Sequence, residues 1–275
     1  MKAFNAELRK FTGKGGRATV RNIPPHSVEA AYRVQLDKLI VDLNREYRDN
    51  IAPQLKAEIE MRDKSQRVDS ITDVILAIRN LVTSIVPGAQ LAYDMAQKVF
   101  TFNNRKFTGP ISQKIGVAVN LPEGKTTELM QSWMLANEME IERIQKNHVD
   151  RMLAIVQRGW EDGLSYQSIT DQLVKQTGVA RNYAKFVARD QVGNLNGALT
   201  RERNEQLGVE KFKWRTSEDE RVRGDPSGRY PKAKPSHYKF ANHTYDWKDG
   251  TGVSRAKFPG SDYQCRCYAE SVIEW

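Results

Sequence analysis

The chain has 275 residues, of which 39% are hydrophobic and 28% are charged. This length is sufficient to bury a hydrophobic core, and the composition is ordinary for one or two folded domains. No stretch approaches the roughly 18 to 20 uninterrupted apolar residues that a membrane-spanning helix needs, and the N-terminus lacks the apolar segment of a secretory signal. We therefore expect a folded protein that neither enters a membrane nor is secreted.

The net charge of +9 is concentrated at the N-terminus, where residues 1–25 contain six Lys or Arg residues and one Glu. A mobile basic segment binds phosphate by releasing condensed counterions, without needing a shaped site. A solvated tail has the same composition, so the charge alone leaves both interpretations open. We predict a basic arm over residues 1–25. Its expected DNA contacts are Lys2, Arg9, Lys10, Lys14, Arg17 and Arg21.

A helical region is predicted over residues 26–122. Ser27 follows two prolines and can act as an N-cap, and apolar residues then recur at three- and four-residue spacing until Pro53 interrupts the pattern. A second helix is predicted from Val68 to Ile85, where Pro87 and Gly88 end it. The pattern continues to Phe100.

Residues 101–122 contain several helix breakers, including Gly109-Pro110, and predict an irregular boundary. The next region, residues 123–207, is again predicted to be helical. It should contain a long helix to about Arg158, a short helix closed by Gly178, and a last helix from Ala180 to Leu207. His26 and His148 are interpreted as surface residues.

The pattern changes to strands in the last region, residues 208–275. Phe212 and Trp214 alternate with basic residues, as do Tyr245 and Trp247 with polar ones, and this is the period of a half-buried strand. Residues 224–236 are rich in Pro, Gly, Lys and Ser and predict a loop. The fold class is thus mainly α, with a multi-helix N-terminal and middle region and a small C-terminal α+β domain.

Candidate functional residues also concentrate in this last region, although the common catalytic signatures are missing from the sequence. One interpretation is a zinc site formed by His237, Cys265 and Cys267 with Asp219 or His243 as fourth ligand. Cys-x-Cys is less suited to chelation by both thiolates than Cys-x-x-Cys. A second interpretation is a hydrolytic or nuclease site on Asp219, Glu220 and His237.

The interpretation we favour is a structural network in which Asp219 and Arg223 pair across a turn, while His237 and the cysteines fill a small core. The residues assigned to this structural motif are Arg189, Asp219, Arg221, Arg223, His237, Cys265 and Cys267. Under this interpretation no residue is catalytic, no metal is bound and no cofactor is needed.

Short motifs in a fixed order carry a family resemblance. They are Ala188-Arg189-Asp190-Gln191, Leu207-Gly208, residues 212–217, residues 219–223, His237, Pro259-Gly260 and Cys265-Arg266-Cys267. This series resembles the phage head morphogenesis domain, the minor head protein family of Mu-F-like proteins. The resemblance is specific between Trp133 and Ile273. One departure is the insertion of residues 224–236, since the family's histidine usually follows the Arg-x-Arg triplet within a few residues.

The resemblance implies a minor head protein of a tailed bacteriophage that acts in procapsid assembly and in genome packaging or delivery near the portal. Its implied partners are the portal protein, scaffold or coat protein, and packaged double-stranded DNA. The implied location is inside the virion head, after assembly in the host cytoplasm. Two alternatives remain open, a metal-dependent nuclease or toxin-like enzyme using the C-terminal cluster, and a general DNA-binding protein.

Overall fold

A computed structural model describes residues 15–64 and 71–275 of the chain and confirms the predicted fold class. The described helices, in chain order, are α1 (His26–Glu46), α2 (Ala52–Asp63), α3 (Thr72–Asn80), α4 (Gly88–Ile115), α5 (Gly124–Glu161), α6 (Tyr166–Leu207) and the short α7 (His237–Phe240). The strands are β1 (Arg17–Arg21), β2 (Lys211–Arg215), β3 (Thr244–Asp246) and β4 (Tyr268–Glu274).

The connections between the first helices contain irregular turns. A π-helical turn, Tyr47–Ile51, joins α1 to α2, and Pro53 lies in the first turn of α2. The predicted helix from Val68 to Ile85 is shorter than expected: α3 ends at Asn80, and a 3-10 turn, Leu81–Ser84, follows. Val68 lies outside the described residues.

Helix α4 corrects the prediction of an irregular boundary after Thr101. The helix continues through Pro110 to Ile115, because Phe107 and Ile111 are buried one turn apart on a single apolar face. The side chain of Asn103 donates hydrogen bonds to Asn196 Oδ1 at 3.0 Å and to Thr200 Oγ1 at 2.9 Å. Burial of the helix face thus outweighs the local cost of Pro110.

Helix α6 is a second correction, since Gly178 does not end a short helix but lies inside one continuous helix of 42 residues. Leu173 and Ala180 are buried on either side of Gly178. Thr177 adds a hydrogen bond from its hydroxyl to Asn44 Oδ1 at 2.8 Å. A glycine in a helix costs only about 1 kcal/mol relative to alanine, which this packing offsets.

The described residues divide into two compact units. The helical unit comprises Ala30–Ala92 and Leu135–Ala188. Its core consists of apolar side chains from α1, α2, α3, α5 and α6. The fully buried members of this core include Leu55, Ile78, Met152, Val156 and Ile169.

The sheet unit comprises the described residues up to Glu29, together with Tyr93–Met134 and Arg189–Trp275. Its four strands form an antiparallel sheet in the order β1-β4-β2-β3. Strand β1 was not predicted, and it pairs Arg17 with Glu274 and Arg21 with Glu270. This part of the predicted basic arm is therefore an edge strand and not a free tail.

The division of the chain into domains at residues 25, 122 and 207 stays a prediction. Among the described residues, no single helix is long and apolar enough to cross a membrane, although Thr72–Ser84 and Gly88–Ile115 together satisfy the length and composition criterion as one bent pair.

Candidate functional site

The candidate site lies in the sheet unit, where two glycines of α6 allow the C-terminal segment to approach closely. Gly193 and Gly197 are four residues apart and therefore share one face of the helix. A Cβ atom on Gly197 would lie 3.1 Å from the carbonyl oxygen of Pro259, and one on Gly193 would lie 3.6 Å from that of Cys265. The helix thus holds the segment that carries Pro259-Gly260 and Cys265-Arg266-Cys267.

Asp190 fixes the turn that precedes the cysteines. Its Oδ1 accepts a hydrogen bond from the backbone N–H of Gln264 at 2.8 Å, and Gln264 adopts a positive φ of 55°. Burial raises the pKa of Asp190, although the hydrogen bonds from Gln264 and Asn194 oppose this effect. The link between Asp190 and Gln264 explains why the motif on α6 and the cysteine motif occur together.

The two cysteines face one ring nitrogen of His237. Cys265 and Cys267 lie two residues apart in the segment just before β4, and the side chains of both point towards His237. His237, at the start of α7, places its Nδ1 atom 3.5 Å from the Sγ atom of each cysteine. All three side chains are buried, and both thiols are free. The Cys-x-Cys spacing was expected to disfavour chelation by both thiolates, but it brings both sulfurs close to the same nitrogen atom of His237.

The two thiols differ in acidity. Interactions with Cys267 and with His237 hold the pKa of Cys265 well below its usual value, although burial opposes them. The same interaction with Cys265, together with burial, raises the pKa of Cys267 well above its usual value.

Asp262 holds the opposite edge of the His237 ring. Its Oδ2 lies 3.1 Å from His237 Nε2, and it also accepts hydrogen bonds from the guanidinium of Arg223 and, through Oδ1, from the backbone of Tyr263. Only 3% of Asp262 is exposed. No periodicity singles out Asp262 in the sequence, so its role was missed.

Asp219 has a different partner from the one predicted. It forms an ion pair with Arg266, the residue between the two cysteines, and its Oδ1 accepts a hydrogen bond from Arg221 N at 3.0 Å. Partial burial alone would raise the pKa of Asp219, but the contacts with Arg266 and Arg221 lower it. The predicted pair of Asp219 and Arg223 is therefore wrong, because Arg223 turns towards Asp262 and Tyr263.

The remaining motif residues lie away from this cluster. Arg189 Nε contacts Glu29 Oε1 at 3.2 Å, and Arg221 Nη2 lies 3.5 Å from Asp219. Of the residues that the zinc interpretation required, only His237, Cys265 and Cys267 have ligand atoms within 4.8 Å of one another among the described residues. Neither Asp219 nor His243 joins them.

His148 contradicts its interpretation as a surface residue. It is only 1% exposed, and its Nε2 atom lies 2.9 Å from Asn44 Nδ2 in the helical unit. Burial lowers its pKa to about 4. Ile141, Ile144 and Met152 lie on the same stripe of α5, and this periodicity is the signal that would have identified His148 as buried.

Only two of the six predicted DNA contacts, Arg17 and Arg21, lie within the described residues. Lys2, Arg9, Lys10 and Lys14 lie outside the described residues. Arg17 and Arg21 lie in β1, where their side chains are more than half exposed and approach Glu274 at 3.7 Å and Glu270 at 3.9 Å.

These features define a mainly helical protein with a small antiparallel sheet and a buried His, Cys and Asp cluster that contacts the sheet through Trp214 of β2. Residues 150–270 match the family described as Phage Mu protein F like protein. The resemblance to this phage head morphogenesis-related family is therefore confirmed over residues 150–270.

A Haemophilus influenzae protein described only as uncharacterized is 28% identical over 148 residues. The match covers 54% of this chain but only 30% of the relative's length. No solved structure matches the chain.

Proposed function

We propose that the protein is a minor head protein of a tailed bacteriophage that acts in procapsid assembly and in genome packaging or delivery near the portal. The match of residues 150–270 to the phage family supports this proposal most strongly. Its partners under this proposal are the portal protein, scaffold or coat protein and packaged double-stranded DNA, and its location is inside the virion head.

The arrangement of the motif residues supports a structural role and not a catalytic one. Asp219, Arg223, Asp262 and Arg266 are paired with each other across the turns of the sheet unit. A general base needs access to a substrate proton, whereas Asp262 is 3% exposed and already shared between Arg223 and His237. We therefore propose that the motif is not an active site.

An exposed apolar groove on the helical unit favours contact with another protein, which we propose is the portal protein. Leu135 and Met139 are 67% and 72% exposed, and they lie one turn apart on α5. Val82, Ile85 and Met139 line the groove, and Leu135 lies one turn before Met139 on α5, outside this lining. Clustered apolar side chains with this exposure are typical of interaction surfaces.

Co-expression with the portal protein of the same phage, followed by size-exclusion chromatography, tests this proposal. The parent chain should co-elute with the portal protein, and the double variant Leu135→Glu, Met139→Glu should not. A matched control is Val174→Glu, Val179→Glu, which changes two residues of α6 that are 66% and 60% exposed. The control should keep the complex. Absence of a complex with the parent would contradict the portal role, and equal loss in both variants would contradict the groove.

DNA contact through the arm requires a test that keeps β1. Deletion of residues 1–25 would remove an edge strand that pairs with β4, so the variant should lack only residues 2–14. If about four basic residues reach phosphates, the log–log salt slope of DNA binding should be about −3 to −4 in the parent and close to zero in the variant. The control is Arg17→Gln, Arg21→Gln, which should change the slope less. An unchanged slope after deletion of residues 2–14 would contradict DNA binding by the arm.

A further inference from the structure

His237, Cys265 and Cys267 have the arrangement of a metal-binding site. The Nδ1 atom of His237 lies 3.5 Å from each of the two sulfurs. In a tetrahedral zinc site, a Zn–N distance of about 2.0–2.1 Å and a Zn–S distance of about 2.3 Å place the nitrogen and sulfur about 3.5–3.6 Å apart. We propose that these three side chains bind one zinc ion.

Asp262 provides a second and independent observation. A metal-binding histidine usually donates its other ring N–H to a carboxylate, which fixes the tautomer and directs the free lone pair at the metal. Asp262 Oδ2 lies 3.1 Å from His237 Nε2, and Arg223 balances the charge of this buried carboxylate. The Nδ1 atom that faces the two sulfurs is therefore the one that carries the lone pair.

Hydrogen bonding alone accounts less well for the cluster. A lone pair on Nδ1 can accept one S–H hydrogen bond with good geometry, yet both sulfurs lie at the same distance from it. A shared central ion explains two equal distances. Two thiolates and one Zn²⁺ also form a neutral group, which suits a site where each cysteine is only 8% exposed.

The donor set and its surroundings favour zinc over harder cations. Thiolate and imidazole suit Zn²⁺, whereas Mg²⁺ and Ca²⁺ take oxygen ligands. Three protein ligands leave the fourth tetrahedral position to a water molecule. The zinc ion would join α7 to the segment before β4 and so stabilise the sheet unit.

The first test measures zinc in the full-length protein purified without chelator, by mass spectrometry of the metal. We expect one zinc per chain in the parent and in Asp219→Asn, whose side chain pairs with Arg266 outside the group. Cys265→Ser and His237→Gln should lose the metal. Absence of zinc from the parent, both as purified and after addition of zinc, would overturn the proposal, as would full zinc content in Cys265→Ser.

A second test needs no variant, because Cys265 and Cys267 are the two cysteines of the sequence. Alkylation of chelator-treated protein, followed by mass spectrometry, reports directly on both thiols. Free zinc at a hundredfold excess over its Kd should slow alkylation of both residues by about a hundredfold, since bound metal opposes local opening. Unchanged alkylation at saturating zinc would overturn the proposal. A mass lower by two hydrogens with no reactive thiol would indicate a Cys265–Cys267 disulfide and would also overturn it.

Discussion

The helical unit and the sheet unit are stabilised in different ways. The core of the helical unit is a large set of apolar side chains from five long or medium helices. The sheet unit has short strands, and one of its apolar cores combines Phe212, Trp214 and Trp247 with the two cysteines. Charged or polar side chains are also buried there, among them His237, Asp262 and Glu270.

The difference follows from the amount of apolar surface that each set of elements can bury. Long amphipathic helices bury continuous stripes, and hydrophobic burial contributes roughly 25 cal/mol per Å². Strands of three to seven residues offer fewer buried positions. Buried ion pairs then hold the loops, and removing one partner from such a pair is costly because the other charge is left uncompensated.

The largest expected effect is in the sheet unit. Asp262→Ala should destabilise the protein by about 3 to 5 kcal/mol, because it leaves the partly buried Arg223 and the buried His237 without their shared carboxylate. Urea unfolding followed by tryptophan fluorescence measures this loss of stability. Trp214 makes an edge-to-face contact with the His237 ring, with ring centroids 5.5 Å apart, so its fluorescence reports on this part of the sheet unit. Asp249→Ala, an exposed acidic residue of the same unit, is the control and should have little effect. Equal stability of Asp262→Ala and the parent would contradict the structural role of the pair.

In the helical unit, the corresponding change is the loss of an apolar side chain. Ile78→Ala should cost about 2 to 5 kcal/mol, because Ile78 is fully buried and the change leaves a cavity. Leu76→Ala, at a position 45% exposed on the same helix, should cost much less. Urea unfolding followed by circular dichroism compares the two variants. Similar losses in both would show that the helical core is packed differently.

Acid should weaken the helical unit through His148. The pKa of His148 is about 4 in the folded protein, and its ordinary value, which applies to the unfolded chain, is 6.5. Between pH 4 and pH 6.5 the unfolded chain therefore binds more protons than the folded protein. The stability contributed by neutral His148 is therefore complete above about pH 6.5 and is lost as the pH falls towards 4. The loss amounts to about 3 kcal/mol. His148→Gln should show a shallower decline in the unfolding free energy between pH 7 and pH 4, and an identical decline would contradict this assignment.

The smallest effect is a gain in stability. Gly178 lies inside α6, and a Cβ atom at this position would meet nothing within 4 Å. Gly178→Ala should therefore raise the free energy of unfolding by about 0.5 to 1 kcal/mol, because alanine loses less backbone entropy in a helix. Gly193→Ala, next to the carbonyl of Cys265, serves as the comparison and should gain less. Destabilisation by Gly178→Ala would indicate that α6 is not continuous there.

Periodicity predicted most of the helical fold, because amphipathic stripes such as that of α5 are local properties of the sequence. Gly178 and Gly109-Pro110 were misinterpreted as helix ends, since their local cost is visible in the sequence and the compensating packing is not. Strand β1 was missed for a related reason. Its partner β4 lies about 250 residues further along the chain, and no local pattern reports such a pairing.

The sequence predicted most of the residues that belong to the candidate site, but not which of its charged residues form ion pairs with each other. The motifs identified His237, Cys265 and Cys267 correctly as neighbours. Sequence spacing alone paired Arg223 with Asp219. In the structure, the turns of residues 216–236 and 259–264 direct Arg223 to Asp262 and Asp219 to Arg266. Ion-pair partners across two loops depend on the tertiary fold, so they could not be read from the sequence.

The most direct test of the structural role of the C-terminal cluster compares stability and activity in the same variant. The parent and His237→Ala would be measured by thermal melting, by limited proteolysis, and by DNA and RNA cleavage assays with divalent metal ions. We predict that the parent cleaves neither substrate and that His237→Ala melts at a lower temperature and loses protease protection of residues 208–275. Cleavage by the parent that is lost in an equally stable His237→Ala would contradict the account and identify the cluster as an active site.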